Sequence, residues 1–335
     1  MAIVLSLSLV IYSYYLSGHI NFNAPKLVFK EKPKETKIQA PFTGLMVDPS
    51  VVSRKPLAVV IENSPDARPQ SGYPQADLVY ETLAEGGITR TLAIFQSQGS
   101  SEIGPVRSAR FYFIDWLTEL NAVFVHIGGN ADALDEIISK KIPDINQFYY
   151  GNYFWRSASR YAPHNVYTTT DKIYDALKVA KISPITELAP LSFKKEAAVA
   201  ERPATQAITI NFSTPLFVAS YNYDQKANNY LRSVGGVPHK DKVTGNQLRV
   251  KNIVVQYETI SPGISRAGEQ KMDIVTTGRG RALVFQDGKA INATWEKTSR
   301  NSRTKYLDSF GKEVQFNPGQ TWFEVVPQNA AVTYK

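Results

Sequence analysis

The chain has 335 residues, with 38 Lys and Arg against 30 Asp and Glu, a formal net charge of +8, and no cysteine. Lack of cysteine excludes disulfides, thiolate nucleophiles, Cys-ligated zinc and lipidation at a cysteine. The basic balance points to polyanionic surroundings such as acidic wall polymers or anionic lipid headgroups, and no nucleic-acid-binding motif adds nucleic acid to them.

The hydrophobic fraction of 43% and charged fraction of 20% are globular values, and the length predicts two domains rather than one. The four histidines, His19, His126, His164 and His239, are too scattered for a local metal motif, so no metal and no other cofactor is expected.

Ala2 to Leu16 carries no charge and reads as the apolar part of an exported segment. It is short beside the roughly 20 residues of a membrane span, and no Lys or Arg precedes it. Leu16-Ser17-Gly18 matches the run that precedes the lipidated cysteine of bacterial lipoproteins, but His19 occupies the cysteine's place. Residues 1–20 are therefore expected to be an unlipidated membrane anchor or signal segment, with the rest of the chain on the extracytoplasmic side. The Pro, Lys and Glu content of 21–40 predicts an extended, solvated linker.

Residues 41–203 read as an N-terminal α/β domain. Pro56–Ile61 is a continuous apolar run, a buried strand ending at Glu62-Asn63. Asp77–Ala84 and Ile88–Ser97 alternate as two strands joined around Glu85-Gly86-Gly87, a hairpin signal. Gly104-Pro105 then delivers Arg107, Ser108 and Arg110 to a helix running to Leu120, with Ser108 as its N-cap. Unpaired N–H groups at a helix start favour an anion, so this stretch is the first candidate site. Ala122–Ile127 is a second buried strand, leading through Gly128-Gly129-Asn130 into a helix to Lys140. An aromatic-rich, irregular stretch, Phe148–Tyr161, precedes Ala162-Pro163-His164-Asn165 and a helix capped by Thr170 or Asp171. Its Tyr149, Tyr150, Tyr153, Phe154 and Trp155 can stack on sugar rings or close a core. Residues 204–335 read as a β-rich C-terminal domain, with eight strand candidates between Ala207 and Val326 and few helices. The fold class expected is α+β or mixed α/β.

Several motifs, PLAVVIENSPDARPQSGYPQADLVYETLAEGGITR, IGPVRSARFYFID, VHIGG, APHNVY, NYLRSVGGVPHKD, GRGRALVFQDGK and NPGQTWFEVVP, make the chain similar to the YerB-like family of bacterial envelope lipoproteins over about Pro41 to Pro327. That resemblance implies an envelope location and two adjoining domains of unknown function, and His19 departs from its lipoprotein pattern. A looser likeness of layout connects Arg90, Arg107 and Arg110 with the arginines that hold a lipid pyrophosphate in the LytR-CpsA-Psr phosphotransferases.

Arg107 and Arg110, three apart, are expected on one helical turn, sharing a phosphate or carboxylate or pairing with Glu81 and Glu85. Glu81 and Glu85 are candidates for an acid/base pair, and His126 and His164 for a base. Glu62, Arg90, Ser108 and Asn165 complete the candidate ligand-binding set in the first domain. Arg232, His239 and Asp241 are placed in a loop with Gly235-Gly236 that could reach back to the first domain, His239 and Asp241 at its surface. The expected function is an anchored extracytoplasmic envelope protein holding an anionic wall polymer, peptidoglycan or lipid phosphate, with phosphotransfer or hydrolysis at the same site, or an adaptor role toward envelope-synthesis proteins, as alternatives. No recognised nucleophile motif decides between catalysis and binding.

Overall fold

The computed structural model describes residues 10–18 and 36–335. Residues 10–16 form one helical segment, the described part of a unit that is separate from the compact body of Lys37–Lys335. Among the described residues no helix is long and apolar enough to cross a membrane. The rest of the expected anchor, His19 and most of the expected linker lie outside the described residues. The end of that linker is ordered: Ile38–Gln39 pairs with Met46–Val47.

The body is built on one ten-stranded mixed sheet. Its first half comprises β1 (Leu57–Glu62), β2 (Leu78–Leu83), β3 (Thr89–Phe95), β4 (Val123–His126) and β5 (Asp144–Asn146). A second, antiparallel sheet follows in the chain, made chiefly of β6 (Ala207–Asn211), β7 (Val218–Asp224) and β8 (Asn229–Val234). The chain then returns to the large sheet with β9 (Asn252–Glu258), β10 (Gly278–Gln286), β11 (Lys289–Lys297), β12 (Lys305–Asp308) and β13 (Thr321–Pro327). The large sheet runs β12-β11-β10-β9-β13-β2-β3-β1-β4-β5. Its seam is the parallel pair β13–β2, in which Trp322 lies opposite Val79 and Glu324 opposite Glu81. Strands from both sides of residue 203 therefore share one sheet.

The apolar runs of β1, β2 and β3 are buried along their whole length, as expected for strands covered on both faces. Leu57, Val59, Ile61 and Trp322 on one face pack with Ile173 and Leu177 of α3 (Thr170–Val179) and with Ile210, Ala219 and Tyr221 of the small sheet. Ala58, Val60, Leu92 and Phe323 on the other pack with Phe113, Trp116 and Leu117 of α1 (Phe111–Glu119) and Ala133 and Ile137 of α2 (Ala131–Ser139). The fold is mixed α/β with a β-rich C-terminal region, and the β2–β3 hairpin, α1, α2 and α3 all form.

The helix caps differ in detail. Asn130 caps α2 by accepting from Ala133 N at 3.1 Å, and Thr169 caps α3 by accepting from Lys172 N at 3.0 Å. Ser108 does not cap α1, because Ala109 N bonds Gly128 O at 3.0 Å and Ala109 pairs with Gly129, holding the chain extended up to Arg110. Arg107 and Arg110 consequently share no helical turn.

Candidate functional site

Two groups of charged side chains sit where β1, β2 and β4 end and β3 begins. Alternation along the strands sorts them: Glu81 and Glu324 fall on the side covered by the small sheet, Glu62 and Arg90 on the other.

On the first side, the register places two carboxylates next to each other in the seam, a repulsive arrangement unless a cation bridges them. Arg232 of β8 supplies it. The alternation of β8 turns Tyr230, Arg232 and Val234 inward, and Arg232 is fully buried. Its Nη2 donates to Glu81, its Nη1 to Glu324 at 3.0 Å and to the Tyr221 hydroxyl at 2.6 Å, and its Nε to His239 Nδ1 at 3.1 Å. The guanidinium lies 4.2 Å from the Trp322 ring centre. Because His239 Nδ1 accepts, its Nε2–H donates to Gln70 Oε1 at 2.8 Å, and burial beside Arg232 holds the imidazole well below its usual pKa. Asn63 and Thr89 donate to the remaining Glu81 oxygen at 2.8 and 2.6 Å. Burial pushes the Glu324 carboxyl up to about 8 against the pull of Arg232, and its Oε2 has no partner.

Arg232, His239 and Asp241 thus do reach back to the first half of the chain, but as buried groups. Arg232 lies in a strand, not a loop, and neither His239 nor Asp241 is at the surface: Asp241 accepts from Gly72 N at 2.8 Å and from Val243 N and Thr244 N in its own turn. Glu81 is sealed into this network and does not face Glu85, so the two form no acid/base pair.

The second group is built differently. Val106 bridges to Ile61, and Val106 N bonds Val166 O at 2.7 Å, which brings Arg107 and His164 together over the end of β1. His164 Nδ1 lies 3.0 Å from Glu62 Oε2, and Ser64 Oγ donates to Glu62 Oε1 at 2.9 Å. Arg107 Nε is 3.4 Å from the same Oε1, too poorly placed to bond, and Nη1 reaches Pro163 O at 3.5 Å. Arg110 makes a bidentate pair with Glu85, both contacts 2.6 Å. Arg90, only 4% exposed at the side chain, finds Glu85 no nearer than 3.9 Å. Its Nε and Nη1, with Arg107 Nε, are buried without a hydrogen-bond partner. Burial, reinforced by Arg110, pulls the Arg90 guanidinium down to about 10.

Glu62, Arg90, Arg107, Arg110, Glu85 and His164 therefore converge. The other candidates stand apart. His126 is fully buried, with Nδ1 2.7 Å from Gly128 O and Nε2 3.2 Å from Asp144, so both nitrogens are occupied. Asn165 accepts from Arg156 at 2.8 Å and ties its own loop. Ser108 contributes its carbonyl to Arg110 at 3.5 Å. Ser64, Asn63, Gln70, Tyr221 and Glu324 are additional members of the two groups. Glu324 had a visible signal, a charge inside the apolar strand TWFEVVP.

A framework of one sheet shared by an α/β half and a β-rich half, with an arginine network at the seam, defines a class that the family models also delimit. Residues 42–183 match the N-terminal domain and residues 208–323 the C-terminal domain of the DUF3048 proteins of unknown function, and the chain belongs to that family. It is 38% identical over 296 residues to a Bacillus subtilis (strain 168) protein named "Putative lipoprotein YerB", covering 87% of each chain. The crystal structure of the Bacillus subtilis YerB protein superposes with a TM-score of 0.80 at 36% identity, covering 89% of this chain and all of that one.

Proposed function

We propose that this protein works at the bacterial cell envelope, held at the membrane by its apolar N-terminal segment with the body outside the cytoplasm, and that it binds an anionic ligand between Arg90 and Arg107. The location rests on the uncharged run Ala2–Leu16 and on the lipoprotein name of the relative. The observation that carries the ligand reading is the set of three buried guanidinium N–H groups, Arg90 Nε and Nη1 and Arg107 Nε, that no protein acceptor satisfies. An unpaired buried donor on a charged group is costly, and a phosphate or carboxylate oxygen is the acceptor that would relieve it. Glu62 and Glu85 orient the arginines without neutralising them: three guanidinium groups face two carboxylates here. The test is thermal unfolding of the full chain with and without inorganic phosphate or pyrophosphate. At about 100 times the dissociation constant a ligand stabilises by about 2.7 kcal/mol, and Arg107→Ala should abolish the shift. No shift with any anion would sink the reading.

A second reading is favoured by the Glu62–His164 contact. Glu62 fixes Nδ1 of a ring that is about a quarter exposed, and Nε2 bonds no group among the described residues, the arrangement of a carboxylate-oriented general base. Ser64 Oγ is 3.5 Å from the same Nδ1 rather than from Nε2, so Ser64 is not placed as a nucleophile activated by this histidine. In this reading water would be activated against a bound phosphoester. A pH–rate profile for hydrolysis of bis(p-nitrophenyl) phosphate, compared with His164→Gln, tests it; equal rates in both proteins reject it.

A further inference from the structure

One element beside the second arginine cluster belongs to neither sheet. The strands Ile260–Ile264 and Gln270–Ile274 form a hairpin and pair with no other strand among the described residues. The hairpin is rooted at its base, where Ile260, Met272 and Ile274 pack on the core and Val275 N bonds Thr259 O at 3.0 Å. Its far end is held to the first half of α2 by polar contacts. Glu269 accepts from Ala131 N at 2.9 Å, Arg266 N donates to Asp132 at 2.9 Å, Arg266 forks onto Asp135, and Lys271 pairs with Asp132 at 2.9 Å. Arg266 and Asp135 are exposed, and ion pairs in that setting hold weakly and are screened by salt. Along its flank, Gln270–Ile274 lies against the turn Glu85–Gly87. That turn carries the carboxylate that Arg110 grips and that stands 3.9 Å from Arg90. Gly129, two residues before Ala131, pairs with Ala109, the neighbour of Arg110. The hairpin thus spans from α2 to the Glu85 turn on the Arg110 side of the cluster.

The three unpaired guanidinium N–H groups are buried, so an anion reaches them only when something beside them moves. The walls formed by helices are fixed, with Phe113, Trp116, Ala133 and Ile137 seating α1 and α2 in the core. The stretch Val106-Arg107 is fixed too, by bonds from its N–H groups to Val166 O and Val60 O. The hairpin differs, because a two-stranded ribbon with few buried apolar contacts opens at low cost. The turn it lies against can then move, since Gly86 and Gly87, with φ of 69° and 72°, tolerate conformations that other residues resist. We infer, resting on the anion-site reading above, that this hairpin is a gate. It is latched shut by the α2 contacts, and the anion enters past the Glu85 turn when they release. A permanent strap joining the two halves of the chain is the alternative.

The experiment uses the absence of native cysteine, which makes a pair introduced at the latch unique. The full chain carrying Asp132→Cys and Arg266→Cys is bridged by a bis-maleimide with a cleavable disulfide spacer and titrated with inorganic phosphate by calorimetry. The unbridged variant should bind like wild type. Bridging should weaken phosphate roughly tenfold or more, because the open state is withdrawn, and cutting the spacer with dithiothreitol should restore binding. A second variant, Arg266→Ala with Glu269→Gln, releases the latch instead. Its residues 260–274 should exchange amide hydrogen roughly tenfold faster than in wild type, while α1 and the large sheet stay protected. Equal phosphate affinity before and after bridging overturns the gate and leaves the anion site standing. Exchange in 260–274 that the second variant does not change shows that these contacts hold nothing shut, and also overturns it. If neither wild type nor the released variant binds phosphate, the anion site itself is rejected and the gate falls with it.

Discussion

Two arginine centres stand at the same end of one sheet, on opposite faces, and they use the same side chain in opposite ways. Arg232 is fully buried and donates through all three of its nitrogens to Glu81, Glu324, Tyr221 and His239, joining the small sheet to the seam of the large one. Arg90 is almost as deeply buried but leaves two nitrogens without partners, and its neighbour Arg107 leaves a third. The first arrangement is what a fold needs from a buried charge, complete pairing of the guanidinium; the second leaves donors that no protein acceptor meets, the feature on which the proposed anion site rests.

The comparison breaks if Arg232 proves dispensable. Arg232→Ala strands the buried Glu81 carboxylate, strips the Glu324 carboxyl of its guanidinium partner, and should cost about 3–5 kcal/mol in denaturant unfolding. A combined Arg232→Met, Glu81→Gln, Glu324→Gln variant, which removes the charges together, should recover much of that loss. A cost below ~1 kcal/mol for Arg232→Ala would mean that the network does not hold the seam.

The proton on Glu324 sharpens the contrast. Its folded pKa, about 8, lies above the value near 4.5 expected of an unfolded glutamate. The folded state therefore binds more protons between these values, and this contribution to stability is complete below about pH 4.5 and lost as pH rises through about 8. Glu324→Gln keeps an acceptor for Tyr221 and Arg232 and cannot ionise. Its stability relative to wild type should rise by about 4 kcal/mol between pH 5 and pH 9; a difference that is flat with pH would show that Glu324 is ionised throughout. His239, held low by burial, works the other way, losing stability as pH falls below about 6.5, and the variant-minus-wild-type difference cancels it.

At Arg90 the expectation reverses. Arg90→Met removes a buried charge with unmatched donors, so unfolding stability should change by no more than ~1 kcal/mol, in either direction, while protection by phosphate disappears. A loss of several kcal/mol would make Arg90 structural, like Arg232.

How far these centres could be read from the sequence follows from which interactions are local. Continuous apolar runs and Gly-Gly punctuation placed β1 and the β2–β3 hairpin, and residue-type periodicity placed α1 to α3, because those signals span a few residues. Glu62 and Asn63 at a strand end, and His164 in a Pro-containing loop, were legible for the same reason. The pairing of Glu81 with Glu324 was not, since β2 and β13 are separated by more than two hundred residues of chain and no local pattern encodes a parallel partner. Arg232 was half legible: Tyr230, Arg232 and Val234 alternate as one inward face, but a charge in that row reads as loop until the carboxylates it meets are known. The extended run to Arg110 was hidden by a serine that resembles an N-cap, and it is set by Gly128 and Gly129, which are distant in sequence.

The smallest expected effect separates a ligand contact from a scaffold contact within the second centre. His164 is about a quarter exposed and joins the body through Glu62 alone among side chains, apart from the long approach to Ser64. His164→Gln keeps a polar group near Glu62 and should change unfolding stability by less than ~0.5 kcal/mol, as for other exposed substitutions. If His164 only frames the anion, phosphate affinity in the variant stays within about threefold of wild type, a few tenths of a kcal/mol. If affinity instead falls as far as in Arg107→Ala, His164 contacts the anion directly, and the unsatisfied donors of Arg90 and Arg107 do not by themselves make the site. Calorimetry on the two variants side by side decides between them, because neither change touches the Arg232 network that holds the fold.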